Sequence, residues 1–281
     1  MKSDHSKISY TAVLCAKALA YNPEIPYSKE IYQKIKEKGL HKGSRMQIAL
    51  ANVGARVFSG IGLLMAFIEA RYIGMNQVLK ELRYPYVVEL ASGFTPRGIE
   101  LAEKTKIIES DLDNVVRIKR EIIDKNFRIV PLNALDKEAF MKLGRAFDSK
   151  RPVAVIHSGL WTYLNKEEQK KLTSNIRDFL KKYSKRGYWI TSDIRPRSEF
   201  KNNFFRFFRK GITKKTGRPT MRFDSDEELK EFMSKFGFKV KIVDVMDKIY
   251  DKLYIPKKFN LKKADVYAQS QGMKIYIMQL K

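Results

Sequence analysis

A doubly wound α/β domain with a mostly parallel seven-stranded sheet is the fold this sequence predicts, and three observations predict it. Short β-branched runs alternate with amphipathic stretches from about residue 83 onward, the pattern of a parallel sheet with covering helices. Several of those runs are almost continuously apolar, as strands buried on both faces must be. The stretch before them reads as helix alone, which places an N-terminal helical cap at 1–82 and the α/β domain at 83–281.

The strands expected are Tyr86–Leu90, Lys106–Ser110, Phe127–Leu132, Pro152–His157, Gly187–Asp193, Phe238–Val245 and Lys274–Leu280. Two helices between them announce their starts. Asn165 with Glu168 has capping-box spacing ahead of Leu172, Ile176, Phe179 and Tyr183, and Ser225 with Glu228 repeats it.

Composition narrows the class. With 44% hydrophobic and 12% aromatic residues in 281, the chain can bury a large core, so extended disorder is excluded. One cysteine, Cys15, excludes an internal disulfide framework and a thiolate-built zinc site, and three histidines leave little for an all-histidine metal centre. The uninterrupted apolar part of the longest stretch, Val57–Ile68, falls short of the roughly 20 residues a membrane span needs. A soluble, cytoplasmic protein is the expectation. The 56 Lys and Arg against 31 Asp and Glu leave a formal charge of +25, which attracts nucleic acid, anionic membrane or an acidic substrate, or reflects solvated surface lysines alone.

The first strand runs into small residues, Ala91-Ser92-Gly93, and then a helix. In open α/β sheets ligands bind beyond the carboxyl ends of the strands, and small residues there let a ligand lie against the backbone. As a dinucleotide fingerprint the turn is a poor match, and an ordinary tight turn reads equally well. The next strand ends at Asp111, about 20 positions on, where a carboxylate suits ribose hydroxyls. Asp113 is the better helix cap, which leaves Asp111 free for a ligand.

These segments together resemble the leucine carboxyl methyltransferase group of class I S-adenosylmethionine-dependent methyltransferases, whose bacterial relatives include polyketide O-methyltransferases. The resemblance runs through Ser9-Tyr10-Thr11-Ala12-Val13-Leu14, Glu69-Ala70-Arg71-Tyr72, Leu90 to Arg97, Glu109-Ser110-Asp111-Leu112 with Lys119 and Arg120, Leu132 to Asp136, and His157 to Leu164. It implies a Rossmann-like methyltransferase fold and S-adenosylmethionine as cofactor. It further implies that Arg71 clamps the cofactor carboxylate, and that Glu89, Ala91, Gly93, Asp111, Asn133, Ala134 and Ser158 border the cofactor. Ala91 stands where the family has its first glycine, Ser158 (or His157, one register earlier) where it has an acid, and Asn133 where an acid lies beside the adenine. The implied activity is O-methylation of a carboxylate or hydroxyl on a small molecule or peptide end.

His157 is the one imidazole placed to act as a base, although a strand-end histidine more often packs. Tyr163 is the second candidate catalytic group, and it more readily shapes the pocket than moves protons. Between the fifth strand and the Ser225 helix, residues 195–222 hold ten Lys and Arg against Glu199, with Phe200, Phe204, Phe207 and Phe208 on one helical face. A lid over an acidic substrate is the favoured reading. A helix lying on an anionic membrane, a nucleic-acid patch, and a solvated basic loop remain open. The competing class for the whole chain is a nucleic-acid- or anionic-surface-binding protein on a methyltransferase fold.

Overall fold

The computed structural model describes residues 9–40, 59–148, 150–194, 223–270 and 273–281. Residues 195–222, with their basic and phenylalanine faces, lie outside the described residues, as does most of the apolar stretch before Ser59.

Among the described residues, three helices, α1 (Ser9–Leu19), α2 (Ser28–Glu37) and α3 (Ser59–Glu81), precede the first strand. Then come β1 (Tyr86–Leu90), α4 (Arg97–Glu100), β2 (Ile107–Asp111), α5 (Asp113–Ile122), β3 (Ile129–Pro131), α6 (Lys137–Leu143) and β4 (Val153–His157). The chain continues through α7 (Lys166–Tyr183), β5 (Tyr188–Thr191), α8 (Asp226–Lys235), β6 (Phe238–Asp244), α9 (Met246–Ile249), α10 (Ile255–Lys258), α11 (Lys263–Ser270) and β7 (Lys274–Leu280). All seven expected strands form: β1 and β7 at the expected bounds, β2 shifted by one residue, β4 and β6 one residue shorter, and β3 and β5 three residues shorter than the runs that announce them.

The sheet order is β3-β2-β1-β4-β5-β7-β6. Strands β1 to β5 pair in parallel, while β7 runs antiparallel between β5 and β6. The chain starts at β1, winds outward to β3, and returns to lay β4 on the other side of β1. That reversal opens a crevice at the carboxyl ends of β1 and β4, the place where such sheets bind ligands.

Strand alternation divides the core in two. Val88, Leu90, Val155 and Trp189 face Leu172, Ile176 and Phe179 of α7 and Leu229 and Met233 of α8. Val87, Ala154, Ile156 and Ile190 face Met75, Val78 and Leu79 of α3 with Met246 and Ile249 of α9. Helix α3, which precedes the expected boundary at residue 82, is thus one of the sheet's covering helices. Helices α1 and α2 pack through Val13, Ala16, Ile31 and Ile35 on Phe94 just after β1 and on Val115 and Ile122 of α5. They lie over the carboxyl edge of the sheet, beside the crevice.

Asn165 and Glu168 form the full capping box of α7. Ser225 accepts from Glu228 N at 3.1 Å, but the Glu228 carboxylate takes the Asp224 N–H instead of returning to Ser225, so only half of that box forms. No helix among the described residues is long and apolar enough to cross a membrane.

Candidate active site at the carboxyl edge of β1 and β4

The turn after β1 is built from two left-handed residues, Ala91 (φ 51°) and Gly93 (φ 54°). Gly93 N–H donates to Asp111 Oδ2 at 2.7 Å, and Leu112 N–H donates to Asp111 Oδ1 at 2.7 Å. Helix α1 lies on this turn: a Cβ on Gly93 would stand 3.1 Å from the Cβ of Ala12. Ala91 is exposed and faces open space. Its left-handed backbone strains an L-residue by about 1–2 kcal/mol. After the entropy that glycine loses on folding, Ala91→Gly is expected to raise stability by roughly 0.5–1 kcal/mol. A urea unfolding midpoint that falls instead would contradict the strain.

The carboxylate of Asp111 therefore fastens the turn and is not the free ligand the cap argument expects. Strand β2 runs on through Asp111, Leu112 takes the N-cap position and Asp113 becomes the first helical residue, with no side-chain cap. Burial raises the Asp111 pKa against the lowering pull of those two N–H bonds. Each oxygen keeps one further acceptor direction, which is what a ribose diol would use.

Glu89 does not reach the crevice. It lies 2% exposed beneath the turn, paired with the fully buried Arg97. Glu109, its register partner on β2, pairs with Lys119 of α5 at 2.9 Å, and both are completely buried. Two carboxylates on one face of neighbouring strands are thus neutralised by two cations. Arg97 Nε also donates to Asn76 Oδ1 at 2.8 Å, Gly98 N–H donates to Glu109 Oε1 at 3.0 Å, and Lys119 Nζ reaches Ser92 Oγ at 3.5 Å. Burial pushes the Glu89 pKa up to about 7, with Arg97 opposing and Glu109 adding to the rise. The quartet ties β1, β2, α3, α4 and α5 together under the turn.

His157, the expected base, ends β4 fully buried with both ring nitrogens engaged. Trp189 Nε1–H donates to His157 Nε2 at 3.0 Å, which makes Nε2 an acceptor and puts the ring proton on Nδ1. Nδ1 lies 2.9 Å from Asp193 Oδ1 and 3.1 Å from Thr191 Oγ1. Asp193 Oδ2 in turn accepts from Trp161 N at 2.8 Å. Burial alone would raise the Asp193 pKa, but the His157 ring and the Thr191 hydroxyl, both hydrogen-bonded to it, hold it below the ordinary value. His157 therefore fixes the segment after β4 and has no nitrogen left for an acceptor.

Arg71 of α3 does face the crevice. Its Nη1 lies 4.0 Å from where a Cβ of Gly159, just past β4, would stand, and its Nη2–H donates to Cys15 Sγ at 3.7 Å. No carboxylate among the described residues pairs with it. Tyr163 is drawn to the same place: its hydroxyl bonds Thr11, and Cys15, Arg71 and Asp193 all act on it. Burial is the main cause that raises its pKa, so the hydroxyl stays protonated and closes the crevice rather than moving protons. The Ser158 hydroxyl is buried without a partner.

On the other flank, beyond β3, Asn133 is exposed, and its Oδ1 accepts from its own turn at Leu135 N, 3.0 Å away. Its amide NH2 remains as a donor, and Oδ1 keeps one further acceptor direction. Ala134 O accepts from Asn175 Nδ2 of α7 at 3.0 Å.

The structure thus gathers Arg71, Ala91, Gly93, Asp111, Ser158 and Tyr163 along one edge, and withdraws Glu89 and His157 into the interior. Sequence reasoning overlooked Thr11 and Cys15 as crevice walls, and Asp193 as the partner of His157. An acid two residues beyond the strand position in register with His157 was the available signal.

The leucine carboxyl methyltransferase family model matches residues 38–177, which include α3, the β1 turn, the Asp111 strand end and β4. Over those residues the chain matches the leucine carboxyl methyltransferase family. Solved structures similar over most of the chain agree on the fold. A DUF574 family protein from Streptomyces avermitilis is 16% identical, with 94% of this chain and 97% of that chain covered and a TM-score of 0.56. An O-methyltransferase family protein from Burkholderia thailandensis is 10% identical, with 89% and 72% covered and a TM-score of 0.50. No curated protein matches the sequence. The chain is a methyltransferase by family.

Proposed function

We propose that this protein uses S-adenosylmethionine to methylate a carboxylate oxygen of a small molecule or a peptide end. The observation that carries the reading is the Arg71 guanidinium, half-buried and without an acid among the described residues, beside a left-handed turn at the sheet's reversal. A planar fork of donors there suits a carboxylate. The remaining groups fit an adenosyl amino acid. The free lone pairs of Asp111 take hydroxyls, exposed Ala91 leaves the backbone approachable, and the amide of Asn133 offers donors to a ring nitrogen. Bound there, S-adenosylmethionine supplies an electrophilic methyl on a sulfonium.

What the chain's own residues contribute is placement and dryness. Arg71 and Asp111 hold two ends, while α1 and Tyr163 shield the reacting centre. Orientation of this kind contributes about 7–11 kcal/mol. Within the described crevice no base is unengaged: His157 and Asp193 hold each other, and the Tyr163 hydroxyl is protonated. A carboxylic acid, which ionises in water near pH ~4, arrives as the anion and needs none, whereas a phenol, ionising near ~10, profits from one.

The test is the stability of the product. Incubated with methyl-labelled S-adenosylmethionine and cell extract, the protein is expected to give label that mild base releases as methanol, the signature of a methyl ester. Label that survives base would mark an ether or amine and overturn the carboxylate assignment.

A further inference from the structure

A cavity of about 900 Å³ lies at the corner between α1 and α2. Ligand sites of small molecules commonly measure about 300–1,000 Å³. This one is not the crevice: Arg71, Gly93, Asp111 and Ser158 are absent from its walls. Cys15 of α1 meets Arg71 in the crevice, whereas Lys17 of the same helix borders the cavity. Two residues turn a helix by about 200°, so α1 itself stands between the two spaces.

The walls are cationic. Lys17 is 2% exposed, and burial lowers its pKa to about 8, a shift that an anion beside it would oppose. Lys29 and Lys36 of α2 join it. Glu30 is the one acid among the described residues that line the cavity, and it lies 3.4 Å from Lys34. The tyrosine walls bring further cations. Lys258 of α10 stands over the Tyr21 ring at 4.8 Å, Lys125 after α5 over Tyr27 at 5.8 Å, and Lys36 over Tyr32 at 5.6 Å. Ring faces attract ammonium groups, which holds these long side chains near the cavity. Five lysines from four segments thus border one space. Helix α2 adds to their field, because it starts at this wall and Tyr27 at its N-cap gives no side-chain bond to the first N–H groups.

The residue type points to the ligand. No arginine stands among the described lining residues, so the site lacks the planar fork that suits a carboxylate. Clustered ammonium groups act as point charges and suit phosphate oxygens. We propose that the α1–α2 cavity binds a small molecule carrying several phosphate groups. The site goes beyond the methyltransferase reading and does not depend on it. The phosphates belong either to a nucleotide, whose base the tyrosine walls cover, or to a polyphosphate without a ring, and the lysines meet both with the same chemistry.

Calorimetry at physiological salt without divalent metal tests this, with guanosine triphosphate and with tripolyphosphate as probes. A single saturable site is expected. Lys17→Met should weaken it by about tenfold. Lys29→Gln/Lys36→Gln, whose lysines are both exposed and therefore safe for folding, should weaken it by about fivefold. Lys181→Gln/Lys185→Gln removes the same charge at exposed positions on and after α7 and should change it by less than about twofold. Tighter binding of guanosine triphosphate assigns the site to a nucleotide, and equal binding of the two probes assigns it to the phosphates alone; either supports the proposal. S-adenosylhomocysteine should leave both titrations unchanged, and displacement by it would put the anion in the crevice and overturn the site. The site is also overturned if neither probe binds saturably, or if the α7 control weakens binding as much as Lys29→Gln/Lys36→Gln does. Should Lys17→Met fail to fold, the two double variants decide.

Discussion

Arg97→Met is expected to cost the fold about 3–5 kcal/mol, the usual penalty for removing one partner from a buried ion pair. Arg97 is fully buried, and without it Glu89 and Glu109 face one another across neighbouring strands with Lys119 as their one cation among the described residues. Glu89 already leaves Oε2 without a hydrogen bond, and its pKa stands at about 7. A carboxyl whose pKa is raised on folding adds stability below its unfolded value and loses it as the pH climbs through the folded one. Loss of the guanidinium raises that pKa further, so the deficit of Arg97→Met should widen from pH 5 to pH 8. Neutralising the partner as well, in Glu89→Gln/Arg97→Met, should recover more than half of the loss, since no uncompensated charge then remains on β1. Urea unfolding of the three variants measures this. An Arg97→Met protein within about 1 kcal/mol of the unaltered one would show that the quartet does not hold the turn.

The second large effect concerns Glu69. It is completely buried on α3 and accepts from Asn22 Nδ2 at 2.7 Å, Tyr254 N at 2.8 Å and Ile255 N at 3.0 Å, so it joins α3 to the turn after α1 and to the start of α10. Burial outweighs those three donors and raises its pKa from 4.5 to about 7. By the same sign rule, its contribution is complete below pH 4.5 and is lost as the pH rises through 7. Glu69→Gln has no such titration. Relative to that variant, the unaltered protein should lose roughly 2–3 kcal/mol between pH 5 and pH 8. Urea midpoints of the pair at four pH values give the difference directly. A difference that is flat, or grows in favour of the unaltered protein as pH rises, would mean that the donors hold Glu69 ionised throughout.

The strands were legible because parallel strands buried on both faces leave continuous apolar runs, such as Val153-Ala-Val-Ile156, and the crevice followed from where small residues end the first of them. Side-chain partners were not legible. Local rules assigned Asp113 the cap and freed Asp111, but β2 extends to Asp111, whose carboxylate then meets Gly93 eighteen residues earlier. The family resemblance places Glu89 at the border of the cofactor. Its parity within β1 and an arginine eight residues on pointed inward instead. His157 read as a base because an imidazole at a strand end is exposed to the chemistry unless something answers it, and its answers, Trp189 and Asp193, come from the neighbouring strand and the turn that follows it. Arg71 was legible only through the family resemblance, since nothing local separates it from a surface cation.

The crevice beside Arg71 is expected to accept an adenosyl amino acid. Titration of S-adenosylhomocysteine into the unaltered protein and into Arg71→Ala, followed by calorimetry, tests that most directly. The expected result is one site per chain in the unaltered protein, stabilising the fold by about 2.7 kcal/mol at a hundredfold excess over Kd. Arg71→Ala should bind about 10- to 100-fold more weakly. No heat with the unaltered protein, or equal affinity in the two proteins, would contradict it.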